Sequence, residues 1–405
     1  MQRQVRVVIA LALIACTLGF IKFNQCQTSG WDTPDQYIHA CYSDIPALFS
    51  GRGLDQGDWA YANGADSVEY PVVTGVIMWV LAKITPQGDR ATQDYFNINI
   101  IFLALLFLFA SLIVHKIRPE FSYLSPIAPA AVLSLYINWD LWAVISMLAS
   151  IYWFDRKKLP LSAIALGLSI STKFLPIFLL LPIVFIFYRR KQMQEGVKYI
   201  AITFAIFLAI NLPVFLTTPE AWLHFYKLNF DRGSDWGSLW YALSALEINL
   251  TNLNYLSILA LLVGFLIFVI FLLELKDVPS LASVSFIVLA IVMCVSKVYS
   301  PQYVLWLTPL AVIALIDKKD VSAFWIWQGA EVIYHLAIWQ HLAVVTGAKF
   351  GLPLAGYAIL TLLRIGATIY LVYVFTRRGR LARSGSPDSQ NFLREFLFES
   401  TAKYP

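Results

Sequence analysis

The sequence is short of charge. Only 14% of its 405 residues are Asp, Glu, Lys or Arg, against about 25% in an ordinary soluble domain. It has no P-loop, no dinucleotide-binding glycine fingerprint, no Cys-x-x-Cys and no His-Glu-x-x-His, so ATP-driven transport and zinc hydrolysis have no support. Internal repeats and low-complexity segments are missing as well. What is present is apolar: 59% of the residues are hydrophobic and 15% aromatic. One water-soluble core cannot hide that much, which points to an all-α polytopic membrane protein. The net charge of +5 is not a nucleic-acid signal, because the Lys and Arg residues sit in short clusters between apolar runs.

Cysteine is also scarce, with four in the chain. Cys16 and Cys294 lie in apolar runs and read as small hydrophobes. Cys26 and Cys41 share the first polar loop, and they can form a disulfide if that loop is extracytoplasmic. Residues 13–16, LIAC, match a lipoprotein cleavage box by chance; the apolar run continues through Phe20 and Ile21, as a first membrane span does and a cleaved signal does not.

Twelve apolar runs are candidate spans: 5–23, 97–114, 121–137, 139–154, 160–172, 174–188, 198–217, 253–275, 281–296, 303–316, 322–342 and 354–376. Several fall short of the roughly 20 residues a full crossing needs, which suggests broken helices around a cavity. With twelve spans, the basic clusters Arg3/Arg6, Lys116/Arg118, Arg156/Lys157/Lys158, Arg189/Arg190/Lys191, Lys318/Lys319 and Arg377/Arg378/Arg380 all fall on the cytoplasmic side with both termini. A further run, 71–85, would reverse every later cluster if it crossed, so it reads as a re-entrant or interfacial helix on the outer face. Residues 1–376 then form one transmembrane domain, with outer loops 24–96 and 218–252 on the active face, and 377–405 a flexible basic cytoplasmic tail.

Ionisable groups in or beside lipid are expensive and therefore informative. Asp44 follows the first span, where partial desolvation suits a general base. The same loop holds Asp32, Asp35, Asp55, Asp58, Asp66 and Glu69, so a solvated loop acid is the plain alternative. Asp55 and Asp58 are weak evidence for a metal: no cofactor is expected, and a divalent ion stays open. Asn138–Trp139–Asp140 marks a helix break that either grips a sugar or merely caps a helix. Lys173 in STKFLP can neutralise a phosphate or snorkel. The segment KVYSPQY, 297–303, gathers Lys297, Tyr299 and Gln302 as phosphate or sugar ligands. Glu331 and His335, at i, i+4 on one span, read as a buried pair. Arg232 in 231–241 is another anion anchor, beside Trp236, Trp240 and Tyr241.

The order of these features is a first span, an outer Asp loop, Tyr70–Pro71 opening a short helix, Asn-x-Asp, STKFLP and KVYSPQY. It resembles the GT-C superfamily of polyprenol-phosphate-sugar glycosyltransferases, above all the bacterial mannosyltransferases of glycosyltransferase family 87. It is also similar to the catalytic subunit of GPI mannosyltransferase I. The resemblance spans roughly 1–375 through short, dispersed motifs, of which KVYSPQY and the Asp loop with its Tyr-Pro are the most specific.

The resemblance implies a GT-C-type bundle and an inverting transfer of a sugar, mannose first, from a polyprenyl monophosphate to a hydroxyl of a lipid or glycan acceptor. Asp44 matches the family's first-loop base. Lys297, His335, Arg232 and Lys173 are then candidates for the donor phosphate, and Tyr70, Asn138, Asp140, Tyr299, Gln302, Glu331 and Trp236 for the substrates. Two departures stand out: the loop has no Asp-x-Asp, and Glu69 replaces an apolar or aromatic residue before Tyr70. The rival classes are a secondary transporter or lipid flippase, against which the lack of an internal two-fold repeat counts, and a non-catalytic scaffold subunit.

Overall fold

The computed structural model describes residues 2–62, 64, 67–248 and 250–377. Asp66, the tail from Arg378 onward and its basic residues lie outside the described residues. Among the described residues there is no strand, and five helices are long and apolar enough to cross a membrane: Arg3–Ser29, Ala91–Ile117, Met193–Thr217, Leu253–Glu274 and Leu354–Thr376. A 26-residue helix, Asp320–Val345, carries Gln328, Glu331 and His335 along its buried side.

Shorter apolar helices fill the middle of the bundle. Asp140–Asp155 packs on Leu159–Thr172, which packs in turn on Met193–Thr217. That second contact is close because Gly167 sits against the Thr203 carbonyl and Ile206, where any Cβ would collide. The expected 121–137 span is not one helix: it is Leu124–Ile127 and Pro129–Ser134 with an extended Ala128 between. Pro126 and Pro129 cause the interruption, since proline lacks the N–H a continuous helix needs and disfavours helix in the residue before it. The 71–85 run holds a helix of 12 residues, Val72–Lys83. At 1.5 Å per residue it reaches about 18 Å, short of a hydrocarbon core of about 30 Å.

The first loop is compact. It carries the short helices Asn24–Ser29, Asp35–Ile38 and Asp44–Gly51, and buries Trp31, Phe49 and Tyr61. Cys26 and Cys41 are joined as a disulfide, 15 residues apart in sequence. A closed loop of that length is stabilised by about 3 kcal/mol in the chain-entropy description. Reduction, or Cys26→Ser with Cys41→Ser, is expected to lower the thermal unfolding midpoint; an unchanged midpoint would show that the loop holds its shape without the bond.

Candidate active site

Asp44 is the first residue of its helix, and Ser43 caps it by accepting the Ile45 N–H at 3.1 Å. A carboxylate in a first turn is favoured by the helix dipole. Two ties fix this helix start to the 134–139 turn: Asp44 N–H donates to the Ile137 carbonyl at 2.7 Å, and Ser43 Oγ to the Tyr136 carbonyl at 2.8 Å. The carboxylate then receives two phenols, Tyr42 Oη at 2.8 Å on Oδ1 and Tyr70 Oη at 3.3 Å on Oδ2.

Around it lies a small charged shell. Lys173 Nζ is 2.8 Å from Asp140 Oδ1 and 4.1 Å from the centroid of the Tyr70 ring. The ion pair is close but off the line of a hydrogen bond, so neither oxygen of the buried Asp140 has a hydrogen-bond donor. Glu69 pairs with Arg52 at 2.7 Å. Burial pushes the Asp44 carboxyl above its ordinary value; the Tyr42 hydrogen bond and the Lys173 charge oppose this, and the charges of Glu69 and Asp140 add to it. The side chain is nonetheless partly open to solvent. A desolvated but reachable carboxylate is what a base at a hydroxyl requires.

Tyr42 also belongs to an aromatic wall. Its ring lies 5.5 Å from Tyr37 and 5.3 Å from Trp339, and Tyr37 is stacked 6.2 Å from Trp339. The wall continues through Ile137, Tyr334 and Tyr357 to Trp236 and Tyr241 of the second large loop. Gly237, at φ +78°, permits that junction: its N–H donates to Tyr357 Oη at 2.7 Å, and a side chain there would run into the Tyr299 carbonyl and the Tyr334 hydroxyl.

Searches against models of known protein families and against curated proteins find no match to this chain.

The other sequence-predicted residues fall in three places. Asp44, Tyr70, Lys173 and Asp140 form one group, where Asn138 acts as a cap through Oδ1 accepting the Asp140 N–H at 2.9 Å. Lys297, Arg232 and Trp236 form a second. Lys297 Nζ donates to the Phe230 and Arg232 carbonyls, each at 2.7 Å, and to Asn254 Oδ1 at 2.6 Å, which uses all three of its N–H bonds. Burial and then the Arg232 charge push the Lys297 amine down. Arg232 itself pairs with Asp235 at 3.3 Å.

Tyr299 and Glu331 form the third group, and here the expected Glu331–His335 pair is corrected. Glu331 Oε2 binds Arg364 Nε at 2.8 Å and Oε1 receives Tyr299 Oη at 3.2 Å. His335 turns to Lys22, Trp339 and Ser134. A permanently charged guanidinium from the next helix outcompetes a neutral imidazole one turn away. Gln302 is buried beside this group in the 301–303 turn. Sequence reasoning missed Tyr42, Lys22, Trp339 and Arg364. Among the described residues no group of three or more His, Cys, Asp or Glu is arranged to hold a metal ion.

Tyr42→Phe is expected to move the acid limb of any Asp44-dependent activity to higher pH. The lost phenol had favoured the charged carboxylate, so the pKa rises further and the base form is lost sooner as pH falls. A profile of kcat/KM against pH tests this, and a limb that stays in place would detach Asp44 from the reaction.

Proposed function

We propose that this chain is an integral membrane glycosyltransferase that moves a sugar, mannose first, from a polyprenyl monophosphate to a hydroxyl of a lipid or glycan acceptor. The observation that carries the reading is Asp44: a partly accessible carboxylate oriented by two tyrosine hydroxyls, with a cation and an aromatic wall beside it. Asp44 takes the proton of the acceptor hydroxyl as its oxygen bonds to the anomeric carbon from the face opposite the phosphate. The bond from that carbon to the phosphate oxygen breaks, its electron pair leaves with the phosphate, and the anomeric configuration inverts. No covalent intermediate is required, so the protein's work is positioning and charge stabilisation.

A lipid chain also has room. An open apolar groove of about 630 Å³ runs between Val72, Val76 and Ile77 on one side and Ile210 and Val214 on the other, with Trp59 at its edge. Asp44 does not line it, but Tyr70, which binds Asp44, lies two residues before Val72 on the groove wall. The Cys26–Cys41 disulfide fits an oxidising, extracytoplasmic face for the loop that carries Asp44.

The test is incubation of purified protein with radiolabelled polyprenyl-phosphate mannose and a lipid extract. Label in a new covalent glycolipid supports the transferase. Label that accumulates unchanged inside vesicles supports a transporter or flippase and ends this reading.

A further inference from the structure

Three of the four cationic candidates for the donor phosphate are already engaged. Lys173 faces Asp140, Arg232 faces Asp235, and Lys297 has all its N–H bonds on oxygen acceptors. Lys22 is different. It closes the first helix, and its Nζ donates to the Leu133 carbonyl at 2.6 Å and to His335 Nε2 at 3.0 Å. None of the ion pairs among the described residues includes it.

His335 does not resolve the imbalance. Its Nε2 also receives the Trp339 indole N–H at 3.1 Å, so a single ring nitrogen faces two donors. A neutral imidazole nitrogen offers one in-plane lone pair, and the hydrogen-bond pattern assigns the ring proton to Nδ1, 3.4 Å from Ser134 Oγ. The result is a lysine amine with no carboxylate partner, sharing an acceptor with an indole. Lys22 also borders a cleft of about 370 Å³ that is walled by Phe20, Ile21, Asn24, Gln25 and His39 as well. Enclosed charges are paired or give up their proton, and an anion entering beside Lys22 would pair its ammonium.

We infer that Lys22, held from behind by His335, is the principal cation of a phosphate-ester site, and that a lipid-linked phosphate occupies it. The helix Gln2–Lys22 has 21 residues; at 1.5 Å each it spans about 31 Å, which puts Lys22 where hydrocarbon gives way to headgroups. A phosphate on a membrane-held chain reaches that level without leaving the bilayer. The site lies beside the Asp44 group, because Trp339 packs on both Tyr42 and His335. This assignment rests on the transferase reading for its occupant: when the sugar departs, the phosphate gains a second negative charge, and a cation at Lys22 favours that state over the bound donor.

The experiment uses the purified full chain with two probes, farnesyl phosphate and inorganic phosphate, and reads the ligand-induced rise in unfolding temperature. Lys22→Met removes an uncompensated charge, so without probe its midpoint is expected to equal or exceed that of the wild type. Its affinity for farnesyl phosphate is expected to fall by roughly 10- to 100-fold, the range for a charge-assisted hydrogen bond. Lys22→Gln carries the same test if the methionine variant fails to fold. A variant that responds to farnesyl phosphate like the wild type overturns the proposal, and an equal response to inorganic phosphate overturns the lipid-linked occupant. Lys22-dependent binding without sugar transfer keeps the phosphate site and removes the transferase reading. Sugar transfer with Lys22-independent binding does the reverse.

Discussion

Asp44→Asn is expected to lower sugar transfer by roughly 10²- to 10⁴-fold, the range for loss of a positioned general base. Asn keeps the shape of the side chain and an oxygen for the Tyr42 hydroxyl, which lies 2.8 Å from Oδ1. It cannot take a proton from an alcohol. Folding does not suffer. Burial raises the Asp44 pKa, so the folded protein holds this proton more tightly than the unfolded chain does. Stability from this group is therefore full below the ordinary carboxylate pKa and declines as pH rises through the raised one. Above the raised value the ionised side chain opposes folding, and there the neutral variant is expected to unfold at the same or a higher temperature. Loss of rate with an undiminished midpoint separates a chemical role from a structural one. If the variant keeps more than about a tenth of the wild-type rate, Asp44 is not the base.

Position past the first span did not set Asp44 apart from the six other acids of its loop; the resemblance singled it out, and the fold brings the Tyr70 hydroxyl to its carboxylate. The two loop cysteines were legible because they share one outward polar loop, and a disulfide joins them. Lys22 and Arg364 were equally visible in principle, since Arg364 is the lone cation of its apolar run and Lys22 is separated from Arg6 by fifteen uncharged residues. They are overlooked when a run is scanned for length and not for its exceptions, although an intramembrane charge is the strongest local signal such a run can carry. Pairing is another matter. The i, i+4 spacing of Glu331 and His335 correctly puts them on one helix face, and both are buried. Spacing does not say which neighbouring helix meets that face, and it was Leu354–Arg377 that supplied the stronger partner. Tyr42 was hidden for a simpler reason: a tyrosine two residues from an acid is common, and only the fold turns its hydroxyl back onto the carboxylate.

Arg364→Met is expected to cost about 3–5 kcal/mol, because it strands a buried carboxylate. The Arg364 and Glu331 side chains are 0% and 1% exposed. The guanidinium also donates to the Tyr299 and Ser300 carbonyls and lies 3.5 Å and 4.1 Å from the centroids of the Tyr299 and Tyr334 rings. Each of its three nitrogens donates a hydrogen bond, so Arg364→Lys is not conservative: a single ammonium cannot serve the carboxylate and both carbonyls with that geometry. The segment most affected is 297–303, whose backbone these two carbonyls anchor. Donor-dependent activity should then fall together with stability, unlike the Asp44 case. The double variant Arg364→Met with Glu331→Met decides whether charge pairing is the cause. Apolar replacement of both partners removes the stranded charge and is expected to recover much of the single variant's loss. If the double variant is as unstable as the sum of the two single ones, the pair is not coupled, and Arg364 acts through its two carbonyl contacts alone.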